Sequence, residues 1–336
     1  MSAKNDSISK PMENYNKNSN FQEICNKSCE RLIETYLTKK YNQEQFNILD
    51  LGCSHGKNSM IIVNKILDQL ASNGSSIGKI GVIHEDLPDN DYDEVLKCVN
   101  DPKIGYINHS LASKSTIVPH TVGISYYENV KPKEVDCIDI GFSLNTLVWL
   151  PSKPCRVSKG LFPNSRNLTA SDKQLFSDYA HELLVKFFNL RYEEMRSGAL
   201  LICNVHGKLN VFDAEDEAWD EHLKSNNFTN ETFKDLIMPI YMRSEQELHS
   251  SLDQVKDKFE VIHLKEETYG DPTFSKDTLK AALRLQIISG LKAYEDKFSG
   301  EEELAKFVDE FFDKMGVWLQ TNEVVASNYW VVLKKL

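Results

Sequence analysis

The sequence has no run of the roughly 18 consecutive apolar residues that a membrane-spanning helix requires, so no spanning helix is expected. Its first residues, MSAKNDSISKPMENYNKNSN, hold no apolar h-region, so no secretory signal is expected either. Positive charge is in deficit: 39 Lys and Arg stand against 50 Asp and Glu, a formal net charge of −11. A duplex-binding surface needs clustered Lys and Arg for phosphate contacts, which speaks against nucleic acid as a partner. The acidity reads as solubility. Zinc spacing is missing as well. Seven cysteines, at 25, 29, 53, 98, 137, 155 and 203, are scattered, and no second Cys or His pair joins Cys25 and Cys29. An odd, dispersed set reads as reduced thiols in a cytoplasmic protein. No internal repeat is visible, and no low-complexity tract follows residue 20.

What is present is an ordinary globular composition, 41% hydrophobic and 26% charged over 336 residues, enough for a sizeable core. Apolar spacing predicts a helix over 20–38, a buried strand over 46–51 and a helix over 59–71. A strand over 79–87 and a helix over 91–100 follow. The segment 136–150 begins as a strand. Residues 172–196 read as a helix with Ser171 as N-cap, and 198–207 as a strand. Alternating strands and helices imply an α/β fold with a mostly parallel sheet covered on both faces. After residue 210 helical patterns dominate, at 214–225, 230–238, 244–257 and 302–320. Strand-like stretches at 258–268 and 324–336 interrupt them.

The first turn, Gly52-Cys53-Ser54-His55-Gly56, joins a strand to a helix, the arrangement that lines a ligand along the carboxyl edge of an open sheet. It is not the GxGxxG loop that wraps a pyrophosphate. It suits a ligand without phosphates, such as S-adenosylmethionine, or a purely structural glycine turn. Asp86 closes the second strand. An acid there can accept both ribose hydroxyls of an adenosine; a helix cap or a solvated acid is the rival reading.

Six blocks in register resemble the plant-type SABATH methyltransferases, which methylate salicylic, benzoic and related acids and, in some members, purine alkaloids. YNKNSNFQ (15–22) is similar to the family's S-Y-A-x-N-S-x-x-Q, and DLGCSHGKNS (50–59) to D-L-G-C-S-S-G-P-N-T. EDLPDNDYDEVL (85–96) resembles N-D-L-P-x-N-D-F-N-x-L, and SYY (125–127) resembles S-F-Y. FSLNTLVWLPSKP (142–154) resembles S-S-Y-S-L-H-W-L-S-x-x-P, and PIYMRSEQEL (239–248) resembles P-x-Y-x-P-S-x-x-E-L.

The resemblance implies a Rossmann-like methyltransferase core with an α-helical cap. Residues 1–40 would form an N-terminal active-site segment and 41–212 the core, completed by the strands near 258–268 and 324–336. Residues 213–257 and 269–323 would form the cap. It implies S-adenosyl-L-methionine as cofactor, bound by Tyr15, Asp50, Gly52, Cys53, Asn58, Asp86, Leu87, Ser125 and Tyr126. Gln22 and Trp149 match the pair that donates hydrogen bonds to the substrate carboxylate, with Asn145 and Val148 beside them. It also implies a homodimer.

Three departures bear on function. Val148 stands where the family often has His, which points to a more apolar acid, while Asn145 stands where an aromatic is common and pulls the other way. His55 and Lys57 replace Ser and Pro in the turn, and His55 reads as solvated. Some members hold Mg²⁺ through an Asn, here Ser158, and an Asp-x-Phe-Asn segment, here Asp235-Leu236-Ile237-Met238. Mg²⁺ wants oxygen ligands and a thioether replaces one, so no metal is expected and Asp235 is only a weak candidate.

The expected activity is therefore methyl ester formation on a small, fairly apolar carboxylic acid, with no residue needed as an acid or base. The alternatives are an N-methyltransferase of a small heterocycle, against which Gln22 speaks, and a non-catalytic S-adenosylmethionine-binding homologue. A nicotinamide oxidoreductase lacks its GxGxxG here.

Overall fold

The structure is a computed structural model that describes residues 20–157, 159–269 and 275–336. Its centre is a seven-stranded sheet in the order β3-β2-β1-β4-β5-β7-β6. Strands β1 (Asn42–Leu51), β2 (Ser76–Asp86), β3 (Thr116–Gly123), β4 (Ile138–Ser143) and β5 (Met195–Leu209) run parallel. Strand β7 (Ala326–Lys335) returns antiparallel between β5 and β6 (Phe259–Tyr269). The inner strands are buried on both faces, as in a covered parallel sheet: β1 is buried from Phe46 to Leu51 and β4 throughout.

Helices cover both faces. α1 (Asn20–Tyr36) and α2 (Lys57–Ser72) lie on one, where Cys25, Ile33, Met60, Val63 and Leu67 pack against Phe46, Ile48 and Trp330. The 25-residue α4 (Ala170–Glu194) covers the other, packing Phe176, Leu184 and Phe187 against Leu49, Leu201 and Val331. α4 is capped two residues earlier than the sequence suggests. Thr169 Oγ1 accepts from Asp172 N at 3.1 Å, while Ser171 lies inside the helix. α3 (Tyr92–Asn100) starts at Asp91, whose side chain accepts from Glu94 N.

A second apolar cluster gathers α5 (Val211–Ser225), α7 (Lys276–Leu291) and α8 (Glu301–Thr321), centred on Trp219, Phe307 and Phe311. Residues 230–238, read above as a helix, instead form turns. Asp235 sits at φ 70, and the backbone there bonds to another loop: Asp235 N donates to Val157 O and Met238 N to Leu161 O. α6 (Glu245–Asp253), opened by a Ser244–Glu247 capping box, packs on α4 through Ser177–Glu247 and His181–Ser251 hydrogen bonds.

From β1 the chain steps outward to β2 and β3, then crosses back to β4 on the other side of β1. The reversal of direction opens a crevice at the carboxyl ends of β1 and β4, where open α/β sheets bind ligands.

Candidate active site at the carboxyl edge of the sheet

The turn after β1 is built by backbone contacts to β2. Gly52 N donates to both the backbone oxygen and the carboxyl Oε2 of Glu85, at 2.9 and 3.0 Å, and Cys53 N donates to the same backbone oxygen at 2.9 Å. Ser54 N donates to Asp86 Oδ2 at 2.6 Å. Gly52 and Gly56 have φ of 84° and 90°, left-handed conformations that favour glycine. Space forbids a side chain at Gly52 too: a Cβ there would lie 2.2 Å from Thr146 Cγ2. The turn and the segment after β4 thus approach backbone to side chain, with a narrow cleft between them.

That cleft is lined by Gln22 and Asn26 of α1, by Asp50, Gly52, Cys53 and Ser54, by Asn58 and Ser59 of α2, and by Leu144 and Asn145. It therefore joins six of the residues singled out from the sequence: Gln22, Asp50, Gly52, Cys53, Asn58 and Asn145. Gln22 Oε1 is buried and has no partner among the described residues. Asn26 Nδ2 donates to Asn58 Oδ1 at 2.9 Å. Asp50 is fixed by a buried chain in which His84 Nδ1 meets Asp50 Oδ2 at 3.1 Å and His84 Nε2 meets the Tyr106 hydroxyl at 2.9 Å. Burial, with the Asp50 charge beside it, pushes the Cys53 thiol well up, so it is a neutral wall rather than a nucleophile. Potential ligand atoms of Asp50, Cys53 and His84 lie within 4.8 Å of one another. With the thiol protonated and His84 engaged at both nitrogens, the cluster is a hydrogen-bonded wall.

Asp86 stands at the end of β2, half-buried. Its Oδ1 accepts from Leu87 N at 2.8 Å and its Oδ2 from Ser54 N. Burial raises its carboxyl pKa, and these two backbone donors work against the rise. A carboxylate has about four acceptor sites, so two remain for the hydroxyls of a ribose. An acid at this position, a glycine turn that a Cβ would fill and a cleft lined by amides and Asp50 together fit an adenosyl amino acid.

Other expected residues lie around the crevice rather than in the cleft. Leu87 follows Asp86, half-buried. Ser125 Oγ accepts from Tyr127 N at 3.3 Å, and the Tyr126 hydroxyl donates to Thr146 O at 2.8 Å. Arg191 of α4 holds this loop, donating to the backbone oxygens of Tyr126 and Glu128 at 3.0 and 2.9 Å. Trp149 is half-buried against the helical lobe and bridges to Ile240. Val148 is buried in the lobe's apolar cluster and its oxygen accepts from Tyr241 N. It does not line the cleft, which weakens the inference from Val148 to an apolar acid. Asp235 lies in the lobe with its carboxylate 3.9 Å from Arg156 Nε. Tyr15 and Ser158 lie outside the described residues.

Sequence reasoning missed His84, Glu85, Tyr106, Asn26 and Asn204. The first two left a signal: adjacent polar residues inside a strand that is otherwise apolar and interior. Tyr106 and Asn204 left none, because only the fold brings them to Asp50 and Asn145.

Comparison with known proteins fits this geometry. Residues 10–336 match the family model described as SAM dependent carboxyl methyltransferase. Anthranilate O-methyltransferase 2 of Zea mays is 26% identical over 277 residues, 75% of this chain and 73% of that protein. Indole-3-acetate O-methyltransferase 1 of Oryza sativa subsp. japonica is 24% identical over 251 residues, 65% of this chain and 62% of that protein. Among solved structures, loganic acid methyltransferase with SAH superposes with a TM-score of 0.71 at 17% identity, over 100% of this chain and 98% of that one. The chain belongs to the S-adenosylmethionine-dependent carboxyl methyltransferases, the SABATH family, and is an enzyme of that class.

Proposed function

We propose that the protein methylates the carboxylate of a small organic acid, releasing a methyl ester, with the residues around the crevice in the following roles. S-adenosylmethionine, when bound, supplies an electrophilic methyl group. Asp86 accepts from the ribose hydroxyls, Leu87, Ser125 and Tyr126 border the adenosine, and Asp50, Gly52, Cys53 and Asn58 hold the amino-acid end. By the family resemblance Tyr15 joins them in binding the cofactor. Gln22 and Trp149 donate to the acid and orient it.

No side chain has to move a proton. A carboxylate with a pKa of about 4 is ionised at neutral pH and is its own nucleophile. What the chain must do is place one oxygen on the line of attack. Neutral amide and indole donors do this without quenching the oxygen's nucleophilicity, as a cationic clamp would. The helical lobe, residues 213–257 and 269–323, caps the pocket and excludes water, which favours a transition state in which charge is being neutralised. Residues 1–40 and the core 41–212, with its two closing strands, bind the donor. No Mg²⁺ role is assigned. The seven cysteines are all free, which supports a reducing, cytoplasmic setting, and a homodimer follows from the family likeness. No helix among the described residues is long and apolar enough to cross a membrane.

The observation that carries the reading is the cleft itself, where the fold brings the Gln22 amide beside Asp50, Gly52, Cys53 and Asn58. Radiolabelled methyl transfer to a panel of small acids, with the product identified by mass spectrometry, tests it. Gln22→Leu and Trp149→Phe are each expected to lower kcat/KM by about tenfold or more, the worth of a hydrogen bond to an ionised group. Affinity for S-adenosylhomocysteine should stay unchanged. Methylation of a purine with no ester from any acid would overturn the proposal.

A further inference from the structure

Asn145 follows β4 in a left-handed conformation, φ 60, and is half-buried on the cleft wall. Asn204 of β5 lies directly behind it, fully buried. Two hydrogen bonds join them: Asn145 N donates to Asn204 Oδ1 at 2.6 Å, and Asn204 Nδ2 donates to Asn145 Oδ1 at 2.8 Å. Amide orientation is ordinarily assigned from its surroundings, and here the backbone settles both. An N–H can only donate, so the Asn204 atom facing it is the oxygen. The other Asn204 atom is then the NH₂, and the Asn145 atom facing that is its oxygen. The Asn145 NH₂ is left directed away from Asn204. It hydrogen-bonds Cys25, fully buried, whose thiol burial pushes up to about 12. A neutral thiol is a weak acceptor and leaves the amide donor capacity for a ligand.

We infer that Asn204 is a positioning residue that fixes Asn145 as a hydrogen-bond donor to the substrate, and that the acid carries a second oxygen acceptor close to its carboxylate. This rests on the methyl-ester reading above. There Gln22 and Trp149 serve the carboxylate, whose attacking oxygen must keep a lone pair free. Asn145 shares the cleft with Gln22, so its donor suits another oxygen of the acid, a hydroxyl or oxo group two or three atoms away. An uncompensated amide would disfavour a hydrocarbon at that place, because its N–H would lose water without replacement.

Two matched pairs of acids test this: 2-hydroxybenzoate against 2-methylbenzoate, and 3-hydroxyoctanoate against 3-methyloctanoate. Each is read as binding to the S-adenosylhomocysteine complex by calorimetry and as ester by mass spectrometry. The wild-type protein should prefer the oxygenated member of at least one pair by about tenfold. Asn145→Ala and Asn204→Leu should erase the preference while leaving S-adenosylhomocysteine affinity within about twofold. Asn204→Asp is the sharper variant. It still accepts from Asn145 N but offers a second acceptor, so the Asn145 amide turns over and presents its oxygen to the cleft. An acceptor-only oxygen should then be rejected, 4-oxooctanoate binding more weakly than 4-methyloctanoate, which loss of packing alone would not produce. An unchanged preference in all three variants, a wild-type preference for the methylated members, or loss of cofactor affinity in Asn145→Ala overturns the inference. Binding with the expected preference but no ester supports the amide pair and defeats the methyl-ester reading.

Discussion

Gly52 shows how little separates a ligand-binding turn from a blocked one. Its left-handed φ of 84° and the 2.2 Å approach of Thr146 Cγ2 to a would-be Cβ act together. Thr146 cannot easily retreat, because its hydroxyl bonds to Ser143 Oγ at 2.5 Å. Gly52→Ala is expected to cost about 3 kcal/mol, roughly 1–2 from the left-handed conformation and the rest from overpacking. A urea midpoint would show it. The same substitution should weaken S-adenosylhomocysteine binding strongly, since it deforms the turn that carries Cys53 and Ser54. A full-strength cofactor site in this variant would mean that the turn and Thr146 need not touch. Gly52 was legible in the sequence as the turn between a strand and a helix, whereas Asp50 and Asn58 came from the resemblance of DLGCSHGKNS to the family's block. The partners that tune them were not legible: His84 and Tyr106 reach Asp50 from 34 positions along the chain and beyond, and Asn204 reaches Asn145 across 59.

Among the elements, α4 does more than cover the sheet. Its last turn carries Arg191 and Glu194, both fully buried, with Arg191 Nε donating to Glu194 Oε2 at 2.6 Å. Together they bind the loop after β3: Arg191 takes the oxygens of Tyr126 and Glu128, and Glu194 Oε1 accepts from Val130 N at 2.7 Å. Glu194→Ala leaves a buried guanidinium without its counter-charge and a buried N–H without an acceptor, so a loss of about 3–5 kcal/mol is expected on denaturant unfolding. Replacing both members with apolar side chains should recover part of it, because the stranded charge is then gone. Failure of the double variant to recover anything would place the cost in the loop contacts instead. Helices such as α2 and α4 were readable from apolar spacing. β3 was not, being a half-exposed edge strand that contains Pro119. The segment 230–238 misled because Phe233, Leu236 and Ile237 mimic a helical stripe, whereas the left-handed Asp235 breaks it and the backbone bonds to Val157 and Leu161 instead. The helix α7 was passed over within a region expected to be helical.

At the scale of the whole molecule, buried ionisable groups give stability a pH dependence whose sign can be worked out. Glu215 of α5 is 1% exposed, and Oε2 has no partner among the described residues. Burial, reinforced by the neighbouring Asp216 charge, raises its pKa well above the ordinary carboxyl range. In the fold it keeps a proton that the unfolded chain gives up near pH 4.5. Its contribution is therefore complete below that pH and is lost as pH rises towards the folded value, at up to about 1.4 kcal/mol per pH unit. Glu85 at the active site, raised chiefly by burial and then by Asp86, acts in the same direction. His206, lowered to about 4 by burial and the Arg243 charge, acts the other way. It is neutral in the fold, so its contribution is present above pH 6.5 and is lost between pH 6.5 and about 4 as the unfolded chain takes up a proton. Above pH 6.5 the histidine is silent and does not mask the glutamates. Glu215→Gln keeps the shape and removes the proton, and it lies in the lobe rather than in the cleft. Urea midpoints at pH 5, 7 and 9 should fall less steeply for this variant than for the wild-type protein, with the gap widening toward pH 9. Parallel curves would mean that Glu215 ionises in the fold, so its unpartnered oxygen would have to be reached by water or by a cation.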